Sequence, residues 1–103
     1  MCIRDRLNSA NAVTGSVNTL GDYNNYNTIS GQSNSLGDNS SSNVLSGSQN
    51  IIGNFSGENL VSGGQNSLGN NAIANAVSGA YNTVSDNSSV NTVSGYGLSL
   101  IHI

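Results

Sequence analysis

Apolar and polar positions recur along this chain in a fixed phase. An aliphatic side chain stands at Val13, Ile29, Leu45, Val61, Val77 and Val93, and a second series at Leu20, Leu36, Ile52, Leu68 and Val84, each repeating every sixteen residues. Two residues before each aliphatic comes an asparagine: Asn11, Asn27, Asn43, Asn59, Asn75 and Asn91 in the first series, Asn18, Asn34, Asn50, Asn66 and Asn82 in the second. The local alternation has period two, so asparagine and aliphatic share one face of an extended segment and the residues between them share the other. That pattern predicts two short strands per unit. Gly15, Gly31, Gly47, Gly63, Gly79 and Gly95 are expected to close the first strand at a tight turn. The second strand is expected to end in an Asx-turn at Asp22, Asp38, Asn54, Asn70 or Asp86, with a corner two residues longer. A helical reading fails, because glycine and asparagine are frequent and no period of 3.6 is present.

Five periods without an insertion do not arise from a globular core, whose packing positions are irregular along the sequence. They describe one unit stacked on copies of itself: an all-β, parallel β-solenoid of 16-residue coils with two parallel sheets. One aliphatic per half-coil is a thin core, too little to offset the ordering of the whole chain. The backbone ladder and the asparagines must therefore contribute. Identical Asn side chains stacked about 4.8 Å apart can hydrogen-bond from rung to rung, so both asparagine series are expected to form internal amide ladders.

The two ends depart from the repeat. Residues 1–6 read MCIRDR and residues 98–103 read LSLIHI. Back-translated, the two stretches can be written as reverse complements, and they resemble the transposase end sequence used to tag DNA for sequencing. Both are expected to be adapter-derived, leaving residues 7–97 as a repeat fragment whose parent continues with further repeats on both sides. Setting the ends aside removes the only Cys, Met and His and the only basic residues, Arg4 and Arg6. The repeat region then holds no cation, and its carboxylates are Asp22, Asp38, Glu58 and Asp86. With nothing to neutralise phosphate, nucleic-acid binding is not expected, and the polybasic attraction to anionic membranes is missing. Strict phase argues against disorder, despite the richness in Asn, Ser and Gly.

The phrase N-x-[VIL]-[ST]-G-x-x-N-x-[LIV], carried by residues 8–97, resembles the N-x-V-x-G repeat of the grass ice-recrystallisation-inhibition domains. The resemblance implies a left-handed β-roll of two flat sheets with a thin valine core, internal asparagine ladders and one face that binds ice. The second half-repeat departs from that pattern, since Gly21, Gly37, Gly53 and Gly69 take the serine position.

An ice-binding face needs a rigid, flat array of small groups at regular spacing. The column Thr14, Ser30, Ser46, Ser62, Ser78 and Ser94 is unbroken hydroxyl, and its neighbour Ala12, Thr28, Val44, Leu60, Ala76 and Thr92 mixes methyl and hydroxyl groups. The candidate face is Thr14, Thr28, Ser30, Ser46, Ser62, Ser78, Thr92 and Ser94. A plain solvated strand face explains the same hydroxyls. The opposite face, Thr19, Ser35, Ile51, Ser67 and Thr83, is less regular. The Gly-Asp pairs lack the G-G-x-G-x-D spacing of calcium-binding rolls, so no metal or other cofactor is expected. Catalysis has almost no material, with plentiful serine but no base in the repeat. Tyr23, Tyr26, Phe55, Tyr81 and Tyr96 are expected to pack turns, and Asn39, Asn54 and Asn87 fit N-x-[ST]. The reading that follows is a non-enzymatic, extracellular or cell-surface β-roll that binds ice or another extended surface. The alternative is a structural segment of a bacterial adhesin, similar to trimeric-autotransporter heads. Those heads trimerise through an apolar outer surface that this sequence does not evidently offer.

Overall fold

A computed structural model describes residues 8–99 with their side chains, and the backbone of Cys2, Ile3 and Leu100 as well. Most of the two end segments, on which the adapter reading falls, lies outside the described residues. The strands in chain order are β1 (Cys2–Ile3), β2 (Ala12–Val13), β3 (Thr19–Leu20), β4 (Thr28–Gln32), β5 (Ser35–Leu36), β6 (Val44–Ser48) and β7 (Ile51–Ile52). They continue with β8 (Leu60–Gly64), β9 (Ser67–Leu68), β10 (Ala76–Ala80), β11 (Thr83–Val84), β12 (Thr92–Tyr96) and β13 (Ser99–Leu100). Even-numbered strands stack into one parallel sheet, β2-β4-β6-β8-β10-β12, and odd-numbered strands into the other. Pairing within the repeat is offset by one coil, as in Val61 beside Val77 and Leu36 beside Ile52. The chain is a parallel β-solenoid with two sheets and internal asparagine ladders. At the N-terminus the phase slips: Cys2 pairs with Thr19, seventeen residues on.

The core is the predicted one. Leu20, Ile29, Leu36, Leu45, Ile52, Val61, Leu68, Val77, Val84 and Val93 are buried between the sheets, Ala72 joins them, and Val13 packs partly buried against the cluster. Its thinness shows in the molecular extents of 33 × 24 × 14 Å.

The corners differ from expectation. The glycines of the Gly15 column do not end the wide strand. From β4 onward that strand runs one residue past them, to Gln32, Ser48, Gly64, Ala80 or Tyr96. Glycine is required inside the strand: at Gly47 φ is +103°, and an added Cβ would collide with the carbonyl oxygen of Gly63 on the next coil. The turns themselves are made by single residues in the left-handed region, which here are mostly not glycine. Val17, Ser33, Gln49, Gln65 and Tyr81 form one such column, Tyr23, Asn39, Phe55, Asn71 and Asn87 a second, and Ala10, Tyr26, Ser42, Glu58, Ala74 and Val90 a third. Three corners per coil create a short third side, marked by bridges running Ser9–Asn25–Ser41–Gly57–Ile73–Ser89. The longer corner foreseen from sequence is this third side.

Almost every left-handed corner is followed by an inward polar residue, Ala72 after Asn71 being an exception, and hydrogen bonding explains why. After the corner the next backbone N–H points inward, away from any strand partner. Asn59 N–H donates to Asn43 Oδ1 at 3.0 Å, and Asn66 N–H to Asn50 Oδ1 at 3.1 Å. The same Oδ1 atoms accept from the Asn59 and Asn66 side-chain amides at 2.9 and 3.0 Å. Each amide then reaches backbone carbonyls on its other side: Asn59 donates to Ala72 O at 2.6 Å, and Asn66 to Ser62 O and Gly79 O, both at 3.0 Å. Both predicted ladders, from Asn11 to Asn91 and from Asn18 to Asn82, are thus internal. A third ladder accompanies them after the second of these corner columns. It runs Asn8, Asn24, Ser40, Ser56, Ala72, Ser88, with Ser40 N–H donating to Asn24 Oδ1 at 2.6 Å and Ser56 N–H to Ser40 Oγ at 3.1 Å.

The Asp22 column is not built from local Asx-turns. Asp22 N–H donates to Asp38 Oδ1 at 2.8 Å, Asp38 N–H to Asn54 Oδ1 at 2.7 Å, and Asn70 N–H to Asp86 Oδ1 at 2.7 Å. These side chains only accept, so Asp and Asn are interchangeable here, whereas the two all-asparagine ladders use the amide as donor as well. The bonds also explain the glycines of the Gly21 column. A Cβ on Gly37 would collide with Asn54 Oδ1, and one on Gly69 with Asp86 Oδ1.

Candidate functional site

The wide sheet presents its outer face through three columns. Residues of the Thr14 and Ala12 columns are held in register by the parallel pairing of β4, β6, β8, β10 and β12, in which Ser30, Ser46, Ser62, Ser78 and Ser94 stand side by side. Thr14 lies just past β2, and its N–H continues the ladder to Ile29 O at 2.9 Å. By general sheet geometry the hydroxyls repeat about every 4.8 Å along the stack, with the neighbouring column roughly 6.7 Å away. Thr28, Thr92, Ser78, Ser94 and Thr14 are exposed, whereas Ser30, Ser46 and Ser62 are half-buried. All eight candidate residues share this face. It carries no charged side chain of its own, although Glu58 occupies the corner two residues before Leu60.

The face is less uniform than the sequence suggested. Val44 and Leu60, 38% and 51% exposed, stand on adjacent rungs of the Ala12 column. The third column, Ser16, Gln32, Ser48, Gly64, Ala80 and Tyr96, was not foreseen, because the strand was expected to stop at glycine. Nor do the aromatic residues pack the turns. Tyr23, Tyr26, Phe55, Tyr81 and Tyr96 are all exposed, and Tyr81 and Tyr96 lie against one another with ring centroids 5.1 Å apart and planes tilted by 59°. The run of small residues Ser48, Gly64 and Ala80 between Gln32 and Tyr96 was the signal that could have revealed a groove there.

On the narrow sheet, Thr19, Ile51 and Thr83 are exposed and Ser35 and Ser67 half-buried, each two residues before the Gly21 column or, in the last coil, Ser85. Among the described residues, no three His, Cys, Asp or Glu side chains come together as metal ligands, and no helix is long and apolar enough to cross a membrane. Asn39 and Asn87 are exposed at corners, whereas Asn54 is tied into the Asp22 column through its Oδ1.

No family model matches the chain, and no curated protein sequence does. Solved structures do match. The N-terminal fragment of gene product 12 of bacteriophage phi29 superposes with a TM-score of 0.61 at 15% identity, over 90% of this chain and 18% of that one. The H141N mutant of perosamine N-acetyltransferase from Caulobacter crescentus, solved with CoA and GDP-perosamine, gives 0.50 at 16% identity, over 85% of this chain and 50% of that one. At such identities the likeness is one of fold. The chain spans half or less of each of these proteins.

Proposed function

We propose that this chain is a rigid segment of an extracellular or cell-surface protein whose wide sheet binds an extended ordered surface, foremost ice, and inhibits its recrystallisation. The observation that carries the reading is the Thr14 column: one hydroxyl per coil, in register along the stack, on a sheet face free of charge. Small hydroxyl and methyl groups at fixed spacing can order water without binding any one molecule tightly. The resemblance of the repeat to grass ice-recrystallisation-inhibition domains supports the same choice. Thr14, Thr28, Ser30, Ser46, Ser62, Ser78, Thr92 and Ser94 would form the contact, and the parent protein would extend the array with further repeats at both ends. No cofactor and no catalytic step belongs to this reading.

The test is a recrystallisation assay in a frozen sucrose solution. The chain should keep ice grains small, and Ser62→Tyr, which places a bulky ring in mid-column, should weaken the effect at least about tenfold while the circular dichroism spectrum is retained. Normal grain coarsening with the unaltered chain refutes it.

Val44 and Leu60 on adjacent rungs favour a second reading, in which the solenoid is a structural segment of a surface adhesin that associates through this ridge. Size-exclusion chromatography with light scattering separates the two: a stable trimer dissociated by Leu60→Ser supports the adhesin, and a monomer opposes it.

A further inference from the structure

At the edge of the wide sheet a shallow groove of about 180 Å³ is lined by Ser48, Gln49, Gly64, Gln65, Ala80 and Tyr81. Its floor comes from the third column of the sheet, where Gly64 and Ala80 follow Ser48 in register and Tyr96 stands next after Ala80. One flank is the corner column. Gln65 donates from Nε2 to Gln49 Oε1 at 2.6 Å, so the two amides are fixed as a pair, and the Tyr81 ring continues the line. Beyond Ala80 the next residue in register is Tyr96, whose ring lies against Tyr81 with centroids 5.1 Å apart. The groove thus spans three to four rungs, about 10–15 Å at the usual strand spacing.

We infer that this groove binds a neutral saccharide, one or two rings in length. Two properties select that class. First, the rim is rich in groups that both donate and accept: the Gln49 and Gln65 amides and the hydroxyls of Ser48 and Tyr81. A sugar hydroxyl also does both, whereas an anion or a cation would ask for one kind only. No charged residue lines the groove. Second, the Tyr81 ring, 51% exposed, offers an apolar face beside the small Ala80 and Gly64, which suits the C–H face of a pyranose. The volume is below that of pockets for drug-sized ligands, and it fits a short saccharide bound weakly, with avidity supplied by repetition on a polysaccharide. The site shares no residue with the hydroxyl face proposed to contact ice, so either can fail without the other.

The test is a titration of the isotope-labelled chain with cellobiose, maltose, lactose and mannobiose, followed by amide and side-chain NMR shifts. At least one sugar should give saturable shifts confined to Gln49, Gly64, Gln65, Ala80, Tyr81 and Tyr96, with a Kd of about 1–10 mM. Two variants check the location. In Tyr81→Gly the residue keeps its left-handed corner, where φ is +60°. In Gly64→Gln the added side chain fills the groove, and its Cβ meets nothing nearer than Ser48 Oγ at 3.7 Å. Each should weaken binding at least about tenfold while the chain stays folded by circular dichroism, and Tyr23→Gly at another corner should leave it unchanged. No saturable shift with any of the four sugars, or equal shifts in the Gly64→Gln variant, overturns the inference.

Discussion

At the scale of single residues, the buried asparagines of the two long ladders both accept and donate between coils. Asn59 is buried, and its amide donates to two oxygens, Asn43 Oδ1 and Ala72 O. Asn59→Asp turns that donor into a third oxygen carrying charge, and should destabilise the chain by about 3–5 kcal/mol near neutral pH. Burial among oxygens raises the folded-state pKa of the new carboxyl above its unfolded value, so the penalty is fully present at high pH. It should shrink as pH falls through the folded-state pKa, because the protonated acid can again donate. Urea melts at pH 7 and pH 3.5 check this, and equal losses at both would refute a donor role. The third ladder allows the opposite change. Ser56 Oγ accepts from Ala72 N–H at 3.2 Å, but Ala72 offers nothing to Ser88, whose own Oγ is buried without a partner. Ala72→Ser should stabilise by about 1 kcal/mol, read as a raised denaturation midpoint with an unchanged m-value.

At the scale of strands and corners, the stacked glycines limit how closely two rungs can approach. Gly47 and Gly95 both have positive φ, +103° and +133°, but only Gly47 has a glycine carbonyl of the next coil where its Cβ would go. Near Gly95 the closest atom is Leu98 Cδ1 at 3.3 Å, the end of a flexible side chain. Gly47→Ala should therefore destabilise by about 1–3 kcal/mol more than Gly95→Ala in parallel thermal melts, the difference being overpacking rather than backbone strain. Much of this scale was legible in the sequence. Period-two alternation placed Val61 and Leu68 inward and Ser62 outward, and strict phase made the sheets parallel. The extent of the wide strand was not legible, because glycine after Ser62 signals a turn in most contexts. Only the stacking of Gly63 on Gly47 shows it to be a strand residue. The three corners were hidden for a related reason: Val17, Tyr26, Phe55 and Glu58 are poor candidates for left-handed backbone, and neighbouring coils rather than intrinsic preference hold them there. The N–H groups of Tyr26, Phe55 and Glu58 each find a carbonyl of the preceding coil, as Glu58 does at Ser41 O, 3.0 Å away. The third ladder escaped detection because it decays from Asn24 through Ser40 to Ala72, and a column of small polar residues resembles a loop. The candidate hydroxyl face was legible as a column, but its interruption by the protruding Leu60 and its continuation to Tyr96 depend on side-chain size and strand length.

At the scale of the whole molecule, each coil pairs with its neighbours, and within the repeat the strand register joins like position to like position. Removing one complete coil, residues 43–58, brings Ser42 to Asn59 and restores each ladder: Asn27 would meet Asn59, and Gly31 would meet Gly63. Removing residues 43–57 instead shifts every inward side chain of the following coils by one place, turning asparagine and aliphatic outward. The first deletion should give a folded protein of lower melting temperature with the same far-ultraviolet spectrum, and the second an unfolded or aggregated one. A folded product from the fifteen-residue deletion would contradict the keyed stacking.

The two senses of side-chain bonding bear on how the molecule carries load. In the inward ladders a side chain accepts from the following coil, as Asn43 does from Asn59; in the Asp22 column it accepts from the preceding one, as Asn54 does from Asp38. Each coil boundary is therefore latched from both sides, and nearly all of its bonds run along the stacking axis. Tension applied along that axis through the chain loads those bonds lengthwise and enters each rung at one point of its perimeter. When a boundary does give way, one coil pays out as a sixteen-residue thread of roughly 55 Å, and the next boundary receives the load intact. The fold is in that sense a coiled tether, stiff until a rung fails and then extensible in equal steps.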